Sequence, residues 1–300
     1  MRCFKLTSES EVIKLLESEK VSRTSKIFLF IRRIIAIIYM QLKILMSYKM
    51  QLFLDLLDVI INVLIYFFLA ILVDPTKLAE LGYSSDYLAF SITGIALSRY
   101  IWNSIARISH RMQREISIGT FESIVTTDTK LSTWVIGQSF FGFIWSSLWF
   151  FGTLIAGYLV GAKLTTNPIL ITEGLLIVLL TVIVHFGIGI MMAGMSILHK
   201  QIETLLFVFA VLIEFFGGVL YPLGLLNKYP ILYYLAQAFP FTHGLEAFRK
   251  IMILGYPITH PAVYTKIFAL LAFLPIFFLS FIVLEHYYEE ARKRGELSSY

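Results

Sequence analysis

The run PILITEGLLIVLLTVIVHFGIGIMMAGMSIL (168–198) decides how this chain folds. Only one carboxylate, Glu173, and one imidazole, His185, interrupt a stretch long enough to cross a hydrocarbon core of about 30 Å, which takes about 20 helical residues. Working outward, five further runs meet the same test: 53–73, 87–107, 139–160, 203–220 and 262–284. No period-2 alternation runs through them, which argues against a transmembrane barrel. The expected fold is an all-α membrane protein with six transmembrane helices. Composition agrees. Of 300 residues 58% are hydrophobic and 15% charged, and the mean hydropathy is +0.78, so lipid is the solvent for most of the chain.

The formal net charge is +5, but the basic residues are scattered between apolar runs and form no concentrated patch with aromatic residues, so nucleic acid is not an expected partner. Their placement reads instead as membrane orientation. Lys26, Arg32, Arg33, Lys43 and Lys49 precede the first span, Arg107, Arg111, Arg114 and Lys130 lie between the second and third, and Arg292, Lys293 and Arg294 follow the last. Those segments are expected inside, which gives a multi-pass protein of the cell membrane with both termini cytoplasmic. The first residues are charged and polar where a signal peptide would have its apolar core. Cys3, the single cysteine, has no intrachain partner for a disulfide.

Four segments follow from this reading. Residues 1–25 form a cytoplasmic N-terminal segment, with a short solvated helix expected over 9–20. Residues 26–50 are apolar but interrupted by Arg32, Arg33 and Lys43. At 100° per residue Ile27, Phe30, Ile34, Ile38 and Leu45 gather on one face and the cations on the other, as in an amphipathic helix lying in the interface against anionic lipid. Residues 51–286 hold the six helices, and 287–300 form a basic cytoplasmic tail.

Two loops carry patterns beyond simple connection. In the one between spans two and three, Ile116, Phe121 and Ile124 alternate with Arg111, Arg114, Glu115 and Glu122 at helical spacing. This predicts an amphipathic helix broken at Gly119, with Thr120 capping a second piece that carries Glu122 near its positive end. Such a helix suits either a groove on a partner protein or lipid headgroups. The other loop, FFGGVLYPLGLLNKYPILYYLAQAFPFTHGLEAFRKIMILGYP (215–257), is apolar yet crowded with Gly217, Gly218, Pro222 and Pro240. Those breakers exclude one continuous spanning helix, so the chain is expected to dip into the outer leaflet and return. A helix over 242–253, capped by Thr242 and ending near Arg249 and Lys250, is expected within it.

The run GTFESIVTT after QREIS, followed about ninety residues later by GGVLYPLGLLNKYPILYYLAQAFPFTHGLEAFRKIMILG, resembles the ABC-2 family of ABC-transporter permeases. The likeness extends from about Lys26 to the basic tail. By that resemblance the first motif is the coupling helix, in which Glu115, Gly119, Thr120, Phe121 and Glu122, flanked by Arg111 and Arg114, meet a separate ABC ATPase. The second is the external re-entrant region, in which Gly217, Gly218, Pro222, Pro240, His243, Glu246 and Arg249 take part. It implies a homodimer, or a heterodimer with a related permease, exporting a drug, lipid or lipid-linked glycan. Asp128 stands where the family commonly has a proline, and the loop over 74–86 is too short for a large exoplasmic domain.

Charges within the membrane need partners. Asp58 is expected to pair with Arg99 and Asp55 with Arg107, while His185, Glu214 and Phe215 are candidates for the transport pathway. No G-x-x-x-x-G-K-[ST] occurs, so ATP and Mg are expected on the partner ATPase, with no cofactor or metal in this chain. The absence of H-E-x-x-H, and of a second glycine after Gly137–Ser139 or Gly194–Ser196, argues against an intramembrane enzyme. An ion-coupled secondary transporter is the competing reading. It would show broken helices in both halves, whereas only the last third is broken here.

Overall fold

A computed structural model describes residues 23–199 and 202–295. The helix expected over 9–20, Cys3 and the tail beyond Gly295 lie outside the described residues. Everything regular among the described residues is helical: α1 (Arg23–Ser47), α2 (Lys49–Leu72), α3 (Pro75–Glu80), α4 (Tyr87–Trp102), a π turn (Asn103–Arg107), α5 (Ile108–Ser117), α6 (Phe121–Val125), α7 (Leu131–Leu159), α8 (Pro168–Leu198), α9 (Glu203–Phe216), a 3-10 turn (Leu223–Lys228), α10 (Pro230–Gln237), α11 (Pro240–Met252), α12 (Pro261–Leu271) and α13 (Pro275–Arg294).

Four helices are long and apolar enough to cross a membrane: α2, α7, α8 and the pair α12–α13, counted as one over Pro261–Arg294. The expected second and fifth spans are structured differently. The run over 87–107 is α4 plus the π turn and passes without a break into α5, while α9 stops at Phe216, four residues before its expected end. The last span is bent at the turn before Pro275.

Local signals set the starts. Asp74, Asp86 and Asn167 accept hydrogen bonds from the backbone N–H groups of Thr76, Ala89 and Ile169, each at 3.0 Å, and Pro75 and Pro168 follow two of these caps. The second carboxylate oxygen of Asp86 accepts the Lys163 N–H at 2.7 Å, tying the loops before α4 and after α7 together.

α8 is the central helix, packed by α13, α11, α5 and the π turn. Lipid offers no hydrophobic drive between helices, so close approach over small residues does the work. A Cβ on Gly187 would lie 2.6 Å from the Phe277 Cα, and one on Gly194 2.9 Å from the Leu284 Cα, so α13 runs flush along the glycine face of α8. α1 packs across α7, where a Cβ on Gly137 would meet Ile37 at 2.9 Å. α2 stands at the margin, burying only Val59 and Val63.

Candidate functional sites: a helical knuckle and an arginine clamp

α5 ends in a Schellman turn: the Thr120 N–H reaches the Glu115 carbonyl at 2.9 Å and the Gly119 N–H the Ile116 carbonyl at 3.0 Å, with Gly119 at φ +74°. The expected break is therefore at Gly119, but Thr120 does not cap α6. Its hydroxyl donates backward to the Glu115 carboxylate, which Arg111 also holds at 2.7 Å. Two hydroxyls close α6, Thr126 donating to the Glu122 carbonyl at 2.8 Å and Thr127 to that of Ile124 at 2.7 Å, so the helix ends without a proline. The result is a rigid knuckle with Arg114, Ile118, Gly119, Thr120 and Glu122 on its outer surface.

Two residues expected at a partner contact point inward instead. Phe121 is fully buried and meets Tyr288 of α13 edge to face at 6.5 Å, and Glu115 is 6% exposed. An aromatic beside a tight turn is drawn into the nearest apolar gap because exposing it costs a few kcal/mol. Phe121→Ala is therefore expected to lower stability by about 3 kcal/mol, whereas Ile118→Ala, at a side chain 60% exposed, should leave thermal unfolding in detergent unchanged.

At the other end of the bundle Arg249, 1% exposed, reaches from α11 into the turn after α9. Its guanidinium donates to the carbonyls of Gly218 (2.6 Å), Val219 (2.7 Å) and Phe90 (2.9 and 3.2 Å), and lies 3.5 Å over the Phe90 ring centroid. The carbonyls at the end of α9 have no intrahelical acceptor role left, and burial makes pairing obligatory. Gly218 sits at φ +69°, and a Cβ on Gly94 would lie 2.6 Å from both Arg249 Nη2 and the Val219 carbonyl oxygen. One turn before Arg249, Glu246 accepts from the Tyr83 hydroxyl at 2.5 Å. Burial, and then the charge of Glu246, hold the Tyr83 phenol well above its ordinary range, so it stays a donor.

Arg249 thus meets Gly218 directly and Glu246 lies one turn before it on α11, while a Cβ on Gly217 would collide with the Phe241 ring. Pro222 leads the 3-10 turn and Pro240 opens α11. Thr242 is not the cap: α11 begins two residues earlier, and the Thr242 hydroxyl donates to the Ala236 carbonyl at 2.7 Å. His243 bonds the Gln237 carbonyl at 2.8 Å and stacks on Phe273. Sequence reading missed Tyr83 and Phe90; the signal available was Gly94, a glycine inside a long apolar run, which marks close approach.

The order of these two features along the chain is what a comparison with known families bears on. The model of the ABC-2 type transporter family matches residues 32–253. The chain belongs to that family. No curated protein matches it.

In this ABC-2 chain the polar residues inside the helices divide. Arg99 pairs with Asp58 at 2.6 Å, as expected. Asp55 and Arg107 do not pair. Asp55 accepts from Gln51 at 2.7 Å, and Arg107 donates to Asn103 at 2.8 Å while lying over the Phe141 ring at 5.6 Å. Each takes the partner four residues back on its own helix, which needs no alignment between helices. All four charges border one cavity of about 380 Å³. His185 is 1% exposed and turned inward, its Nδ1 donating to the Thr181 carbonyl at 2.7 Å and its ring edge to face with Phe241. Glu214 accepts from the Trp102 indole at 3.2 Å, and Phe215 is exposed on the flank of α9. These pathway candidates are therefore not gathered at one cavity.

Proposed function

We propose that this ABC-2 chain is the permease subunit of an ATP-driven exporter in the cell membrane, moving an amphipathic or lipid-like substrate. Six segments cross in this reading: the four long apolar helices, the α4–π turn segment, and α9 together with the turn after it. Both termini and the knuckle face the cytoplasm. The chain from the 3-10 turn through α11 forms an external re-entrant cap over the pathway, and α1 lies in the inner interface. A homodimer, or a pair with a related permease, completes the pathway through the apolar flanks of α2 and α9, whose Phe207, Val208, Val211 and Phe215 are exposed.

The observation that carries the reading is the knuckle. Its sequence contains no phosphate-cradling glycine loop, so ATP and Mg belong on a separate ABC ATPase, and the Arg111–Glu115–Thr120 network stiffens a projecting surface fit to receive force. ATP-driven closure of two ATPases would press on that surface and shift the permeases toward release.

Coupling should fail without loss of folding when the outward residues alone are changed. Glu122→Arg with Ile118→Asp is expected to reduce both ATPase copurification and substrate export by roughly tenfold, at unchanged membrane abundance and monodispersity. Normal export by that double variant would rule out the knuckle as the docking surface.

A further inference from the structure

A cavity of about 570 Å³ opens between α1, the α4–π turn–α5 segment and α7, on the side of the knuckle that carries Arg111 and Arg114. Arg107, His110, Arg111 and Arg114 line it, and no carboxylate does. Two of these four are already paired with acids outside the lining, Arg111 with Glu115, which Thr120 also holds, and His110 with Glu203 at 3.3 Å. Among the described residues neither Arg107 nor Arg114 has a carboxylate partner.

Two of the three glutamines in the lining are left without a partner. Gln41 of α1 is 7% exposed and Gln138 of α7 is 3% exposed, yet the side-chain amide nitrogen of each has no hydrogen-bond partner. Such groups cost about 1–3 kcal/mol each when left unpaired, so two in one wall indicate an acceptor that belongs there. Leu45 and Phe141 supply an apolar side. The adjoining cavity of about 380 Å³ shares Leu45, Gln51, Asn103 and Arg107 with it; of the acids there, Asp58 pairs with Arg99, while Asp55 bonds only the neutral Gln51 amide and keeps its charge on the far side of Arg107.

A donor-rich, carboxylate-free lining interleaved with apolar side chains matches a small, multiply charged acceptor joined to a hydrocarbon chain. We infer that this cavity binds the phosphate headgroup of an anionic amphiphile, with Arg107 and Arg114 contacting the phosphate oxygens, the two glutamine amides completing the set, and the chain lying against Leu45 and Phe141. Guanidinium forks favour phosphate, and a basic pocket beside an interfacial helix lies at headgroup depth. The depth rests on the proposed orientation of α1; the binding chemistry does not. The headgroup is either that of a bilayer lipid or that of the transported molecule.

The full chain in phosphatidylcholine nanodiscs, alone and with its ATPase, would be titrated with phosphatidylglycerol and separately with hexadecyl phosphate, bound ligand being counted by native mass spectrometry. Wild type should retain either anion about tenfold better than added phosphatidylcholine. Arg114→Gln, at an exposed position, should lose several-fold of that preference, and Gln138→Leu should lower it without changing the charge. Stimulated ATP turnover with hexadecyl phosphate would assign the headgroup to cargo, and retention of phosphatidylglycerol at unchanged turnover would assign it to a resident lipid; both support the site. Equal retention of anionic and zwitterionic lipid, or wild-type retention by both variants, would overturn it. Because retention is also counted on the chain alone, a dead exporter with intact binding would refute the transport reading and leave the site standing.

Discussion

Arg249→Met should cost about 4 kcal/mol, the largest loss expected from any single side-chain truncation in this chain. The replacement keeps much of the volume but leaves the Gly218 and Val219 carbonyls buried without donors and removes the cation from the Phe90 face. Three separate pieces, the start of α4, the turn after α9, and α11, lose their common tie at once. For a chain of this size the midpoint of thermal unfolding in detergent should fall by roughly 10 °C. Arg249→Lys should recover less than half of this, because one ammonium does not span three carbonyls and lie flat on a ring. Tyr83→Phe removes only the bond to Glu246 and should cost about 1 kcal/mol. A midpoint for Arg249→Met within about 2 °C of wild type would show that the clamp does not hold these segments.

Gly189→Ala should cost about 3 kcal/mol, as much as truncating Phe121. The new Cβ would land on the Ser104 carbonyl oxygen, with the Ser104 carbonyl carbon 2.8 Å away. That oxygen is backbone, inside the π turn, so no rotamer change relieves the clash; α8 and the α4–α5 segment must separate. Gly152→Ala is the contrast, since nothing lies within 4 Å of its Cβ. There alanine should match or exceed glycine by up to about 1 kcal/mol through helix propensity. Thermal unfolding of the two variants side by side decides the point. Equal behaviour would mean that Gly189 is not a contact between helices.

The two glycines illustrate what can be read before a structure is known. Gly189 stands with Gly187 and Gly194 in a spacing that suggests close helix approach and Gly152 does not, but helix propensity counts each as the same modest defect. Only the neighbour across the interface makes one indispensable. The same holds for the acids: Asp55 and Asp58 stand three residues apart in one helix, yet only Asp58 finds an arginine on another helix. The expectation for Asp55 failed because Gln51 and Asn103 offer nearer partners, and neither signals itself as a competitor in a hydropathy pattern.

By itself the sequence determined that lipid surrounds this chain, that it is helical, that α5 stops at Gly119, and that the segment after α9 is broken. Each of these depends on an average over many apolar positions or on a residue whose backbone allows little else, and both are local properties. Tertiary structure alone decided that Phe121 turns inward, that Arg249 gathers three carbonyls, and that Arg107, Arg114, Gln41 and Gln138 border one cavity. Those outcomes depend on the angular offset and separation of helices distant in the chain. A π turn or a glycine contact changes both by amounts that residue spacing does not encode.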